Sequence, residues 1–287
     1  MKTDKDLLFI RNAYLDTAPF RFIEEQIALE AKKQGLSIEL KTNEDFIIPQ
    51  DFEGLPKICV FWDKDINLAV SLKQKGLRLM NKPETIALCD DKTKTFLFLN
   101  KKAPQPETLL CPKSFKTVGY NNMHFLDKTI KYLGLPFVLK EGCGSYGEQV
   151  YLVQNKEQAE ELILKNAGKP MLFQKFIKES AGKDIRVYVV NGKAIGAMKR
   201  RNTAGDFRSN RKGESVSLPH NLTQEEKIIA EKTCNLLEAD FAGVDLLISN
   251  SGPLVCEVNS NAHFSVLLDK TGVNPARHII KLAKELL

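Results

Sequence analysis

Two carboxylates and an amide near the end of the chain have a spacing that suits a cation. Glu257 and Asn259 are one residue apart in a strand-like segment, so their side chains lie on one face. A turn near Ser251-Gly252 would place Asp245 opposite Glu257. Facing carboxylates repel each other without a counter-charge. Magnesium would supply it, because it binds one or two carboxylates together with substrate phosphates; a nearby arginine is the alternative.

The glycine-rich segment Gly142-Cys-Gly144-Ser-Tyr-Gly147 lies between two strand-like segments. A dinucleotide-binding loop of this pattern opens a helix, whereas here a strand follows. A Walker A loop fails as well, since Glu148 and Gln149 occupy its Lys and Ser/Thr positions. We therefore expect a hairpin whose N–H groups cover phosphates, with Lys140 reaching the same oxygens. A tight hairpin without a ligand is the alternative.

Other reaction classes lack their characteristic residues. A protein kinase would need H-R-D and D-F-G motifs, and a nucleophilic hydrolase a motif such as G-x-S-x-G; the chain has none of them. Neither the histidines nor the cysteines have metal-ligand spacing. These residues are His124, His220, His263 and His278, and Cys59, Cys89, Cys111, Cys143, Cys234 and Cys256.

Composition and charge indicate a globular protein of the cytoplasm. Hydrophobic residues make up 43% of the 287 residues, without an apolar run long enough for a membrane span and without a signal-peptide pattern. The net charge is +6, and seven basic residues lie between Lys193 and Lys212 against one acid, Asp206. This run suits a phosphate or carboxylate ligand; nucleic acid is disfavoured because Phe207 is the only aromatic residue within it.

Strand-like and helix-like apolar segments alternate along the first 80 residues. Their β-α-β-β-α order predicts a small parallel sheet. The predicted strands there are Leu7–Ile10, Ser37–Leu40 and Lys57–Phe61, and the helices are Phe20–Lys33 and Ile66–Gln74. Later strands are predicted at Thr108–Leu110, Pro136–Lys140, Gln149–Val153, Met171–Ile177, Asp184–Val190, Ala194–Lys199, Phe241–Ile248 and Leu254–Val258. Later helices are predicted at Lys92–Asn100, Leu126–Leu133, Lys156–Lys165, Thr223–Glu238 and Asn274–Leu286.

With these parts in order, the sequence resembles the ATP-grasp superfamily, most closely the RimK-like amino-acid ligases. The resemblance extends from Asn81 to Val258. The segments that carry it are Asp91-Lys92, Pro136-Phe-Val-Leu-Lys140, the glycine loop, Gln174-Lys-Phe-Ile-Lys178-Glu179, Asp184-Ile-Arg186, Gly205-Asp-Phe-Arg-Ser-Asn210, Ala242-Gly-Val-Asp245 and Glu257-Val-Asn259.

The resemblance implies an α/β protein with a three-lobed ATP-grasp fold. Residues 1–88 would form a small parallel α/β lobe, 89–178 a central lobe with the glycine-rich lid, and 179–287 a C-terminal lobe with the metal site. Both later lobes would contain antiparallel sheets that clasp ATP between them.

The resemblance also implies roles for particular residues. The implied ATP-binding set is Lys92, Lys140, Gly142, Gly144, Ser145, Gly147, Lys175, Phe176, Asp184, Arg208, Ser209 and Asn210, with Lys175 and Phe176 beside the adenine and Asp184 near the ribose. Asp245, Glu257 and Asn259 would bind one or two magnesium ions, or manganese in their place. Arg186, Arg201 and Arg208 would be catalytic, steadying the transferred phosphoryl group.

The implied reaction joins a carboxylate to an amine. ATP would phosphorylate the carboxylate, and an amine would displace phosphate from the acyl-phosphate, with positioning and charge stabilisation as the main contributions of the protein. The substrates would be an amino acid, glutamate being the family's commonest, and a small molecule, peptide or protein tail. Relatives are often homo-oligomers. The alternative is an ATP-binding regulatory module without turnover.

One segment departs from the family pattern. After Asn259, better-known relatives have a small residue and then Pro-Gly, whereas this chain has Ser260-Asn-Ala-His-Phe264. This turn is expected to border the acceptor side of the pocket, so the departure leaves the identity of the acid and the amine open.

Overall fold

The computed structural model describes residues 4–48, 50, 52–145, 147–211 and 213–287, and over these residues the strands form three sheets. The strands are β1 (Leu7–Arg11), β2 (Ile38–Thr42), β3 (Ile58–Trp62), β4 (Arg78–Met80), β5 (Thr108–Leu110), β6 (Phe137–Glu141), β7 (Val150–Val153), β8 (Met171–Lys175), β9 (Lys183–Val190), β10 (Lys193–Asn202), β11 (Ser215–Pro219), β12 (Phe241–Ser249) and β13 (Gly252–Asn259). The α-helices are α1 (Ala18–Lys33), α2 (Ile66–Gln74), α3 (Pro83–Asp90), α4 (Lys92–Leu99), α5 (His124–Leu133), α6 (Lys156–Lys165), α7 (Gln224–Leu236), α8 (Ser265–Thr271) and α9 (Pro275–Leu286).

The N-terminal lobe contains a parallel sheet in the order β2-β1-β3-β4. Its central strands β1 and β3 are almost wholly apolar and buried, as expected for parallel strands covered on both faces. Helices α1 and α9 contact each other and pack on one face, while α2 packs with β4 and α3 on the other. The predicted parallel α/β lobe is therefore confirmed.

The central lobe contains an antiparallel sheet in the order β5-β8-β6-β7, with α5 and α6 packed on it. It has a hydrophobic core of its own, in which Phe137 and Phe173 meet edge to face with ring centroids 5.6 Å apart. The central lobe therefore has its own core and faces the C-terminal lobe as a separate structural unit.

The C-terminal lobe contains an antiparallel sheet in the order β11-β10-β9-β12-β13. The β9–β10 turn lies at Asn191-Gly192, as predicted, and both residues have positive φ (49° and 66°). The predicted capping box at the start of α7 is also present: Glu226 N–H donates to Thr223 Oγ1 and Thr223 N–H to Glu226 Oε2.

The N- and C-terminal lobes share one hydrophobic core. Trp62 stacks on Phe241 with ring centroids 5.2 Å apart, and α1 and α9 bury side chains in the same cluster. Buried Asn81 reinforces the junction, because its Nδ2 donates to Phe241 O and its Oδ1 accepts from Asp240 N–H. These two lobes therefore form one body against which the central lobe is set.

Among the strands and α-helices of the described residues, four were not predicted from the sequence: β4, α3, β11 and α8. Each has at most eight residues, so apolar periodicity has little length in which to show. The α/β fold class and the three-lobed architecture, with one parallel and two antiparallel sheets, are confirmed; the lobe boundaries at residues 88 and 178 stay predictions. No helix in the described part of the chain is both long and apolar enough to cross a membrane.

Candidate nucleotide and ligase site

Neighbouring strands of the C-terminal sheet bring the predicted acidic residues together. The β12–β13 register places Asp245 directly opposite Glu257, as the sequence predicted, and a bulge follows this pair. On the other side of β12, Asp245 is aligned with Arg186 of β9, and Asp184 of β9 is aligned with Arg200 of β10. Alternation along the strands therefore concentrates these charges on one face of the sheet.

Asp245 is held by two arginines. Arg186 donates from Nε and Nη2 to its two carboxylate oxygens, both at 2.7 Å, and Arg200 Nη2 lies 2.8 Å from Oδ2. Arg200 Nε also donates to Asp184 Oδ1 at 2.7 Å. Burial alone would raise the pKa of Asp245, but the two guanidinium groups outweigh it and lower that pKa. The counter-charge at Asp245 is thus arginine, which was the alternative to a metal ion.

Glu257 and Asn259 lie beside this cluster. Glu257 Oε1 is 4.0 Å from Lys92 Nζ, and in the orientation that satisfies the Asn259 amide its Nδ2 donates to Glu257 Oε1 at 3.3 Å and its Oδ1 accepts from Arg186 Nη2 at 3.2 Å. Within the described residues, no group of three or more His, Cys, Asp or Glu side chains could hold a metal by itself. An oxygen pair of this kind fits magnesium only when phosphate oxygens complete the coordination. For Asp245 to bind the ion as well, its arginine contacts would have to loosen.

Two lysines of the central lobe face the C-terminal sheet. Lys140 is 6% exposed, and its Nζ lies 3.3 Å from Cys256 Sγ, with no ion pair to a carboxylate among the described residues. Lys92 Nζ donates to Gly144 O at 3.1 Å. A buried ammonium group paired only with a thiol is poorly compensated. Phosphate oxygens would supply the missing negative charge.

Arg208 connects the glycine loop to the C-terminal lobe. Its Nη1 donates to Gly147 O at 2.8 Å, while its Nε and Nη2 bind both oxygens of Asp206. This ion pair lowers the pKa of Asp206 to about 2, since the hydrogen bond from Arg208 stabilises the carboxylate. The loop also requires glycine at position 144, because Gly144 has a positive φ of 142° and an added β-carbon would clash with the Gln149 amide oxygen. Tyr146 of the loop lies outside the described residues.

Five further residues of the predicted nucleotide-binding set, Lys175, Phe176, Asp184, Ser209 and Asn210, line one cleft between the central and C-terminal lobes, whereas Ser145 lines a neighbouring cavity. Phe176 contacts Phe207 there, with ring centroids 6.2 Å apart and the rings nearly perpendicular. Phe207 was not predicted to belong to this site. Its position within the basic run between Lys193 and Lys212 was the sequence feature that could have indicated it. The cleft residues are Lys140, Gly147, Lys175, Phe176, Asp184, Phe207, Arg208, Ser209, Asn210, Asp245, Cys256 and Glu257.

Arg201, predicted to be catalytic, is not brought to this cluster. Its side chain is exposed, whereas that of the neighbouring Arg200 is 7% exposed and binds Asp184 and Asp245. Consecutive strand residues point to opposite faces, so only one of the two can face the cleft. Two further arginines of the basic run, Arg208 and Arg211, pair with Asp206; Lys212 lies outside the described residues.

A larger cavity, called the side cavity below, adjoins the cleft between the N- and C-terminal lobes. Its volume is about 860 Å³, and it shares Asn210 and Glu257 with the cleft. Arg186, Asn259 and the departing turn with Asn261 and His263 line it from the C-terminal lobe. Burial, with a contribution from Arg186, lowers the pKa of His263 to about 4, so His263 is neutral near pH 7.

Two antiparallel sheets around a lysine-lined cleft, joined to a parallel N-terminal lobe, define the ATP-grasp class of proteins. The chain belongs to the RimK-like ATP-grasp domain family, whose model matches residues 89–283. The family expected from the sequence motifs is therefore confirmed.

Relatives and a solved structure agree with this assignment. The chain is 33% identical over 91% of its length to N-acetylaspartylglutamate synthase A of Homo sapiens, and covers 64% of that protein. It is 34% identical over 95% of its length to beta-citrylglutamate synthase B of Danio rerio, and covers 67% of that protein. The ATP-grasp ligase PsnB, complexed with minimal precursor, Mg and ADP, shares the fold with a TM-score of 0.71, 15% identity and coverage of 99% of this chain and 98% of PsnB.

Proposed function

We propose that the protein is an ADP-forming carboxylate–amine ligase that makes an amide bond through an acyl-phosphate. The observation that carries the proposal is the meeting of two cavities at Asn210 and Glu257. One is a cleft that contains the poorly compensated Lys140, and the other is large enough for a second ligand. A phosphoryl group transferred from the cleft would arrive at the junction, where a carboxylate substrate could receive it.

ATP is proposed to lie in the cleft with its phosphates toward Lys92 and Lys140. Phe176 and Phe207 offer aromatic surface for the base, and Asp184 borders the same cleft. Lys175 lies at the mouth, 47% exposed in its side chain and paired with Glu107 at 3.1 Å. The names of the relatives and the Mg and ADP in the PsnB complex support this assignment.

Magnesium is proposed to bind Glu257 and Asn259 together with phosphate oxygens. It would neutralise negative charge that develops during phosphoryl transfer. The chain's own contribution is the arrangement around it: Arg186 and Arg200 fix Asp245, and Arg208 fastens the glycine loop at Gly147. A closed loop would exclude water from the acyl-phosphate, which is prone to hydrolysis.

The second substrate is proposed to bind in the side cavity, beside Arg186 and the turn with His263. After phosphorylation, the amine nitrogen attacks the acyl carbon, a carbon–nitrogen bond forms, the carbon–oxygen bond to phosphate breaks, and the amine loses a proton. Glutamate, which appears in the names of both relatives, is the first amino acid to test.

The test is phosphate release from magnesium-ATP by the purified full chain, screened with single acids and with acid–amine pairs, followed by mass spectrometry. A ligase releases phosphate only with a productive pair and gives a product of the condensed mass. Glu257→Ala should still bind ATP but release phosphate at least about 100-fold more slowly, since a charge-stabilising group is lost. Tight ATP binding without release for any pair would refute the ligase and favour a regulatory nucleotide-binding module.

A further inference from the structure

The N-terminal wall of the side cavity contains a buried carboxylate that has no cationic partner among the described residues. Asp63 follows β3, is 5% exposed and lines the cavity. It accepts hydrogen bonds from Asn12 Nδ2 to both oxygens at 3.2 Å and from Lys64 N–H at 2.6 Å. Within the described residues it has no ion pair, because the Lys64 ammonium group binds Asp90 instead.

This arrangement costs free energy in the free protein. Burial raises the pKa of Asp63, the nearby Asp65 charge raises it further, and hydrogen bonds from Lys64 N–H and Asn12 act in the opposite direction. A buried carboxylate of this kind is normally matched by an arginine or lysine, as Asp245 is here. A ligand with a positive charge would supply the same match.

Three other residues that line the same cavity each have a buried side-chain atom without a hydrogen-bond partner among the described residues. Trp62 is 2% exposed, and neither its Nε1 nor Asn261 Oδ1 nor His263 Nδ1 has a hydrogen-bond partner in the described chain. Buried polar atoms are seldom left unpaired, so their grouping around one cavity indicates a polar ligand. Since His263 is neutral near pH 7, it would not repel a cation bound at Asp63.

We propose that Asp63 binds a protonated amine of one substrate in the side cavity. The identification of this ligand as a substrate rests on the proposed ligase function. Because the amine at Asp63 remains protonated, it is a recognition group and not the nucleophile of amide formation. One substrate therefore carries a free ammonium group in addition to the reacting group, as an α-amino acid that is activated at a carboxylate does, and N-acylated or purely anionic acids are disfavoured.

The test compares matched ligands by calorimetry on the full chain in the presence of magnesium and a non-hydrolysable ATP analogue. The pairs are aspartate, glutamate, alanine and lysine, each with its Nα-acetyl derivative. At least one free amino acid should bind about 10-fold or more tightly than its derivative, as expected for a charge-assisted hydrogen bond. Equal binding of both members in every pair, or no binding by any free amino acid, would overturn the proposal.

Asp63→Asn should remove this preference while affinity for the ATP analogue stays unchanged, and Asp63→Glu should keep part of it. Asp16→Asn is the matched control, because Asp16 is an exposed carboxylate of the same lobe. A preference that survives in Asp63→Asn would contradict the proposal. Thermal melting checks that each variant folds. The preference for free over acetylated amino acids is also measured on the unaltered chain, so the proposal can be tested even if a variant fails to fold.

This binding measurement separates the inference from the proposed function. Amine-dependent binding that requires Asp63, without phosphate release, would support the ammonium-binding site at Asp63 and refute the ligase, and with it the identification of the ligand as a substrate. Phosphate release with acetylated or purely anionic acids only, with acceptors that carry no second amine, would support the ligase and refute the inference.

Discussion

The two walls of the nucleotide cleft treat buried charge in opposite ways. On the C-terminal wall, Asp184, Arg186, Arg200 and Asp245 satisfy each other through bidentate hydrogen bonds. On the central wall, Lys140 is equally buried, but among the described residues its ammonium group has only the Cys256 thiol within hydrogen-bond distance. The difference indicates that the first wall is a fixed frame and the second is completed by its ligand.

The same contrast recurs in the side cavity. Arg186 lines it already paired with Asp245, whereas Asp63 has only neutral hydrogen-bond partners among the described residues. If buried side chains with a counter-charge hold the protein framework in place, removing one should lower the stability of the fold. If buried side chains without a counter-charge bind ligands, removing one should lower ligand affinity instead. The following predictions test this rule from the largest expected effect to the smallest.

Asp245→Asn should have the largest effect on stability. The change leaves Arg186 and Arg200 with reduced compensation in a buried place and should lower the free energy of unfolding by about 3–5 kcal/mol. Urea denaturation of the purified variant measures it, with Asp16→Asn as the exposed control. A loss below about 1 kcal/mol, the range of exposed ion pairs, would show that this wall is not a frame.

The pair Arg200→Met and Arg201→Met tests alternation on β10. Arg200→Met leaves Asp184 without its bidentate partner and should cost about 3 kcal/mol, whereas exposed Arg201→Met should change stability by less than about 0.5 kcal/mol. Parallel urea titrations and phosphate-release rates compare the two. Activity that depends on Arg201 and not on Arg200 would restore Arg201 to the site and contradict the geometry.

Lys140→Met should separate binding from stability. Removing a buried, poorly compensated ammonium group should leave the free energy of unfolding within about 1 kcal/mol of that of the unaltered chain. The affinity for magnesium-ATP should fall about 100-fold, because charge-assisted contacts are lost. Thermal melting and calorimetry measure the two quantities on one preparation. If Lys140→Met is destabilised as much as Asp245→Asn, the charges on both walls stabilise the fold, and the proposed difference between the two walls is wrong.

His263 should make stability depend on pH. Its pKa is about 4 in the folded chain and about 6.5 when unfolded, so the unfolded state takes up a proton first as pH falls. The stability contribution is complete above pH 6.5 and is lost towards pH 4, by about 2 kcal/mol for this partly exposed group. His263→Gln should flatten the pH dependence of urea midpoints, whereas exposed His124→Gln should not. Unchanged curves for both variants would refute the assignment.

Local patterns in the sequence were sufficient for much of the fold. The β-α-β-β-α order of the first 80 residues predicted the parallel lobe, Asn191-Gly192 predicted a hairpin turn, and Thr223 with Glu226 predicted the start of α7. These features depend on neighbouring residues alone. Short elements such as β4 and α8 were missed because they depend on the surfaces they pack against.

The sequence by itself determined the family, the order of the motifs and the facing of Asp245 and Glu257, since strand alternation and a short turn define that pairing. Only the tertiary structure decided which charges meet. It selected Arg200 over Arg201, gave Asp245 two arginines, and left Lys140 and Asp63 without counter-charges among the described residues, because these contacts join residues of separate strands and lobes. Compensation of a buried charge is a property of the packed molecule, and local spacing does not encode it.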